Sequence, residues 1–133
     1  VIAISTAHNN ARLLGTLAFL DTGDNPATVS LYAGTRPEAG ASAANAPLAI
    51  ITLAKPCAVL TDGQLLLSPP PAHATVTTNG TAAWARFSNG AGDWAMDCDA
   101  SDEAGNGEIK LASTALYAGG LVPLSTATPS TIG

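Results

Sequence analysis

The stretch TAAWARFSNGAGDWAMDCD, residues 81–99, decides what kind of fold this chain adopts. In its first half Ala83, Ala85 and Phe87 fall on one side of an extended chain and Ala82, Trp84 and Arg86 on the other. Asn89-Gly90 is a dipeptide that readily takes the positive φ values of a tight hairpin turn, so DWAMDCD (93–99) reads as the return strand. Working outward, ATVTT (74–78) and Asn79-Gly80 predict a second hairpin with 81–88, and AVLTDGQLLLS (58–68) predicts a third about Asp62-Gly63. TVSLYAG (28–34) alternates, placing Val29 and Leu31 opposite Ser30 and Tyr32. LAIITL (48–53), EIKLAST (108–114) and GGLVPLST (119–126) complete the set. SPPP (68–71) removes ladder donors and marks an edge or a crossing. About eight short strands with turns every 8–12 residues fit an antiparallel β-sandwich.

One segment has a different period. In TAHNNARLLGTLAFL (6–20), Leu13, Leu17 and Leu20 recur at helical spacing with Leu14 and Ala18 beside them. Thr6 or Asn9 is the expected cap, and Gly23 the exit. The prediction is a single domain: a helix at about 6–20, a sandwich over about 28–126 and a loose tail at 127–133.

Composition narrows the function. Of the 133 residues 47% are apolar, but much of that is alanine, and only two Trp, two Tyr and two Phe are present. Ordering the backbone costs roughly 1–2 kcal/mol per residue, against about 25 cal/mol per Å² of apolar burial, so a thin core favours association with like subunits or a larger assembly. A net charge of -5 argues against nucleic-acid and anionic-membrane partners. The apolar runs fall far short of the about 18 residues a membrane span needs. VIAISTAHNNAR lacks the basic and apolar regions of a signal peptide. Cys57 and Cys98 are too few for a disulfide scaffold and lack metal-ligand spacing. Buried thiols are the first expectation and a single disulfide the second.

Four features invite chemistry. Asp21-Thr22-Gly23 spells the nucleophile tripeptide of aspartic proteases. That reading needs a strand before Asp21 and an apolar-apolar-Gly support after it. The preceding residues are helical in spacing, so a helix-ending turn is expected instead. Asp97, Asp99 and Asp102 offer hard oxygen ligands, but their spacing is not that of a helical calcium loop, and a solvated rim is expected. His8 and His73 have no Ser or Cys partner at a readable spacing. Asn79-Gly80-Thr81 matches a glycosylation acceptor and is read as a turn. No enzyme activity and no cofactor are expected. The aromatic pair is more informative: Trp84 and Trp94 lie on successive strands beside small residues, where tryptophan completes a thin core or faces a partner or a glycan. Arg36, after Tyr32-Ala33-Gly34-Thr35, places a charge at a strand end.

RLLGTLAFLDTGDNPATVSLYAGTRPEAG and NGTAAWARFSNGAGDWAMDCDASDEAGNGEIKLASTALYAGGLVPL together resemble a family of small structural proteins of tailed bacteriophages. Asp21–Gly23 resembles its Asp-x-Gly turn after an amino-terminal helix. Tyr32–Pro37 resembles its Tyr-x-Gly-Thr-x-Pro element, Gly80–Arg86 its Gly-Thr-Ala-x-Trp-x-Arg strand, and Gly105–Leu124 its acidic loop, short strand and Gly-Gly turn. The similarity covers roughly residues 9–126. Trp94–Cys98 departs from the family's shorter strand, and PLSTATPSTIG from its apolar finishing strand.

The resemblance implies an all-β, jelly-roll-like antiparallel β-sandwich with one amino-terminal helix. It implies a capsid cement or decoration protein on the outer surface of the virion, with the major capsid protein and its own copies, as dimer or trimer, for partners. Tyr32, Arg36, Trp84, Arg86 and Trp94 are the candidate interface residues, and the small-residue loops 38–47 and 118–122 the docking surfaces. Alternative expectations are a tail- or baseplate-associated protein and a carbohydrate-binding module.

Overall fold

The computed structural model describes residues 2–133. The chain is mostly β with one amino-terminal helix, and its mixed sheets curl into a half-barrel. Helix α1 (Thr6–Leu20) is capped by Ser5, whose side chain accepts the His8 N–H at 3.0 Å, rather than by the expected Thr6 or Asn9. Serine supplies the acceptor oxygen one residue earlier, in extended backbone. Leu13 and Leu20 are buried and Leu17 packs against the core, but Leu14 and Ala18 face out. The helix therefore buries a narrower stripe than its leucines suggest, because only one flank meets the sheets.

Strands β1 (Thr28–Tyr32), β2 (Ala49–Thr52), β3 (Ala58–Thr61), β4 (Gln64–Leu67), β5 (Gly80–Thr81), β6 (Trp84–Ser88), β7 (Trp94–Asp102), β8 (Ile109–Leu111), β9 (Ala115–Leu116) and β10 (Thr131–Ile132) follow. They make a five-stranded sheet in the order β2-β1-β6-β7-β8, a three-stranded sheet β10-β4-β3 and a small β5-β9 pair. The Asp62-Gly63 hairpin forms as expected, both residues taking positive φ, while β6 and β7 join through a longer turn over Asn89–Asp93 with its positive φ at Gly92; β1 alternates with Val29 and Leu31 buried. Val29, Leu31, Ile51, Ala85 and Phe87 of the larger sheet share one core with Leu13, Leu20, Leu65 and Val76.

Three expectations are corrected. The larger sheet is mixed rather than antiparallel, because β7 and β8 run parallel, with Ala100 opposite Ile109. Only a short loop joins them. It folds tightly because Gly107 lies against its own strand: a Cβ there would sit 2.7 Å from Ala100 C and Ser101 N. Residues 74–78 do not pair with 81–88. Thr75 bridges to Leu121 and the Val76 N–H donates to the Gly120 carbonyl, while β5 pairs with β9. The Asn79 side chain accepts the Ala118 N–H at 2.7 Å, so this Asn-Gly ties distant segments together instead of turning a hairpin. Finally, the tail is not loose: Thr131 and Ile132 pair with Leu66 and Leu65 of β4.

Candidate functional site

Of the five residues singled out from sequence, Tyr32, Trp84, Arg86 and Trp94 lie on the face of the larger sheet turned away from the core, and Arg36 reaches them from the loop after β1 through Asp99. Register brings them there: Tyr32 is opposite Trp84, Arg86 opposite Asp97, and Trp84 opposite Asp99. Tyr32 stacks on Trp84 with ring centroids 4.3 Å apart and planes 14° from parallel, and the Arg86 guanidinium lies 5.3 Å from the Trp84 ring centroid. Trp84 is thereby buried although it points away from the core.

Arg86 is the hub. Its Nε donates to Asp97 Oδ1 at 2.7 Å and its Nη2 to Asp97 Oδ2 at 3.0 Å, a bidentate pair. Nη2 also donates to the Ala41 carbonyl at 2.7 Å. Trp94 Nε1 donates to Asp97 Oδ1 at 3.1 Å. A Cβ on Gly40, where φ is +77°, would stand 3.3 Å from the Trp94 ring. The small-residue loop between β1 and β2 is thus folded over the sheet and latched at Gly40 and Ala41. Burial alone would raise the Asp97 carboxyl, but the bonds from Arg86 and Trp94 outweigh it and hold the group below the ordinary carboxylate range. The same pair raises the Arg86 guanidinium further, so both ions persist at any physiological pH.

Arg36 meets Asp99 at 3.4 Å, with both side chains largely solvated, so this pair contributes little. Of the two arginines among the candidate interface residues, Arg86 is consumed inside the protein and Arg36 remains at the surface. Trp94 is 44% exposed and closes the outer rim of the cluster. Sequence reasoning placed Asp97 in an acidic rim and missed its role. The sequence hid it, because a two-residue turn at Asn89-Gly90 would set Arg86 across from Asp93, whereas the longer turn over Asn89–Asp93 and a register shift beside Phe87 set it across from Asp97.

The other chemical candidates resolve locally. The Asp21 carboxylate accepts the Cys57 N–H at 3.2 Å, while its own N–H closes the helix onto Leu17 and Gly23 takes φ +103°. That is the helix-ending turn expected from sequence. Among the described residues no three His, Cys, Asp or Glu side chains converge on a metal position. Asp97 and Asp99 turn to their arginines, and Asp102 accepts the Ala104 and Gly105 N–H groups. His8 and His73 are exposed. No described helix is long and apolar enough to cross a membrane.

Cys57 and Cys98 are free and buried. Burial pushes the Cys57 thiol from 9.0 to about 12, helped by the neighbouring Asp21. Burial likewise pushes Cys98 to about 12, helped by Glu108 and Asp99. Since the thiolate is the reactive form, iodoacetamide at pH 8 is expected to leave both unmodified in the native protein and to label both once it is unfolded, read by intact mass. Folded-state pKa values raised this way favour the fold below the unfolded thiol pKa. That contribution should fade as pH rises from about 8.5.

Comparison with protein-family models, curated proteins and solved structures finds no match for this chain.

Proposed function

We propose that this protein is a capsid cement or decoration protein that binds the outer surface of a tailed-bacteriophage capsid and bridges neighbouring major capsid protein subunits, acting as a dimer or trimer. In this reading the two curled sheets are a jelly-roll-like sandwich, and the protein acts mechanically, without an active site or cofactor. The observation that carries it is the meeting of the two sequence elements behind the phage-family resemblance. Tyr32, from the Tyr-x-Gly-Thr-x-Pro element, stacks on Trp84 of the Trp-x-Arg strand, and Arg86 of that strand latches the loop that follows Pro37.

A latched small-residue loop offers a flat, preorganised docking surface at little ordering cost. The second proposed docking loop, 118–122, is flanked by Tyr117 and includes Leu121, 70% and 58% exposed. Individually modest contacts repeated over a closed lattice give a large summed hold.

Quantitative mass spectrometry of gradient-purified particles tests this. Hundreds of copies per particle, in fixed ratio to the major capsid protein, are expected. A handful would move the protein to the tail or baseplate, and absence from particles would remove the virion reading. A carbohydrate-binding role draws on exposed Trp94 alone, because Trp84 lies beneath Tyr32. Quenching of tryptophan fluorescence by glycans would favour it.

A further inference from the structure

We propose that the open edge of β2 is where two copies of this chain pair, strand against strand, about a two-fold axis. This rests on the self-association included in the reading above and names its surface.

The larger sheet has two edges, treated differently. Beyond β8 the chain covers its own edge: the Ala112 N–H donates to the Pro123 carbonyl at 2.7 Å, the Ser125 N–H to the Lys110 carbonyl at 2.9 Å, and Leu111 bridges Leu124. At the other edge, β1 is the only ladder neighbour of β2 among the described residues. The Leu53 N–H bond to the Ala27 carbonyl, 2.9 Å, fixes the phase of that ladder. Ala49 and Ile51 therefore turn their backbone groups to β1, while Ile50 and Thr52 turn theirs outward. Among the described residues, no backbone hydrogen bond outside the strand ladders reaches Ile50 or Thr52. Both side chains are exposed, Ile50 by 52%.

Apart from its shortness, four residues, this edge lacks the usual protections. A bare edge is normally blunted by lysine, proline, a bulge or an inward charge. Residues 39–54 contain no charged side chain, and Leu48–Ala54 contains no proline. An uncharged, β-branched segment of this kind on an open edge is a template for another strand. Only the Leu48 end is closed, where its carbonyl accepts the Thr77 N–H at 2.8 Å.

A second copy fits this edge. The chain carries a net charge of -5, so two copies repel over much of their surfaces, and the neutral edge is where they approach without that opposition. A two-fold axis through Ile51 sets Ile50 opposite Thr52 of the second copy and Ile51 opposite its own equivalent. Both outward residues of each strand then exchange N–H and C=O bonds with the other copy. Ile50 and the second copy's Thr52 become β-branched neighbours on the outer face, while each Ile51 stays buried in its own core. Two five-stranded sheets become one.

Sedimentation velocity of the full chain, from micromolar to near-millimolar concentration, tests this beside Ile50→Lys, Thr52→Pro and the control Tyr117→Lys. The expected result is a wild-type dimer and a dimer for Tyr117→Lys. Both edge variants should dissociate at least about tenfold more readily, with unchanged far-UV circular dichroism. Thr52→Pro removes one outward N–H at a position where an edge strand tolerates proline. Hydrogen exchange on the unmodified protein gives a second reading, in which the Ile50 and Thr52 amides are slow when concentrated and fast when dilute. A monomeric wild type overturns both the edge pairing and the self-association. A trimer, a dimer indifferent to both edge variants, or one broken by Tyr117→Lys overturns the edge alone. Particle copy number is read separately from all of these.

Discussion

Gly90→Ala is expected to destabilise the protein by about 3 kcal/mol, enough to leave a marginal domain largely unfolded at 37 °C. The reason is a backbone-to-backbone contact between two turns distant in sequence. A Cβ on Gly90 would collide with the Asn25 carbonyl oxygen and stand 2.8 Å from the Thr22 carbonyl oxygen. From the other side, a Cβ on Gly23 would stand 2.5 Å from Ala91 N and Gly90 C. The turn that leaves α1 and the turn between β6 and β7 therefore touch through two glycines, and backbone cannot swing aside as a side-chain tip can. Asn89 holds the second turn, its Oδ1 accepting the Ala91 N–H at 3.0 Å and the Asp93 N–H at 2.9 Å. Gly15→Ala is the internal control: nothing lies within 4 Å of a Cβ there, and in a helix the change should stabilise by about 0.5–1 kcal/mol. Urea denaturation of both variants reads the two signs.

This contact also shows where sequence reading succeeds and stops. Asp21-Thr22-Gly23 and Asn89-Gly90 were legible as turns because a glycine's positive φ, as at Gly23, and side-chain-to-backbone bonding, as at Asn89, are local properties, although the second turn takes its positive φ at Gly92. That the turns dock on one another is a tertiary fact with no local signature. The same division explains Asn79-Gly80. Its dipeptide has the same propensity as Asn89-Gly90, but residues 74–76 find partners at 120–122 and the local hairpin loses. Thr131–Ile132 is two residues long, below any periodicity, and becomes a strand only because β4 offers it an edge. The parallel β7–β8 pair was hidden for another reason. Its connection is far shorter than the dozen or more residues such crossovers usually need, and the glycine contact that permits it is visible only in space. The candidate site was half legible. Tyr32, Trp84, Arg86 and Trp94 were picked as candidate interface residues; alternation puts the first three on one face, and a register shift beside Phe87 brings Trp94 to it. Alternation says nothing of what covers that face, so the loop latched across it was invisible.

Asp97→Ala is expected to cost about 2–3 kcal/mol, between the values for exposed and fully buried ion pairs and nearer the buried end. The Arg86 and Asp97 side chains are 16% and 6% exposed, so water replaces the lost carboxylate poorly. Arg86 would keep only the Ala41 carbonyl and the face of the Trp84 ring, and Trp94 Nε1 would lose its acceptor. The loop over the sheet should then open, seen as faster amide exchange at residues 39–46 and easier proteolysis there, while the core strands stay protected. Asp97→Asn, keeping one acceptor oxygen, should cost less. The double variant Arg86→Met/Asp97→Leu should recover much of the loss, because it removes the orphaned charge as well as its partner. Acidity gives an independent reading. With its folded-state pKa depressed, Asp97 contributes stability that is present above the unfolded carboxyl value of about 3.9 and is lost as pH falls through the lower folded value. Wild type and Asp97→Ala should therefore differ in stability at neutral pH and converge in acid. If the gap stays constant down to the acid transition, the carboxylate is not what latches the loop, and the stacked Tyr32–Trp84 pair must hold it alone.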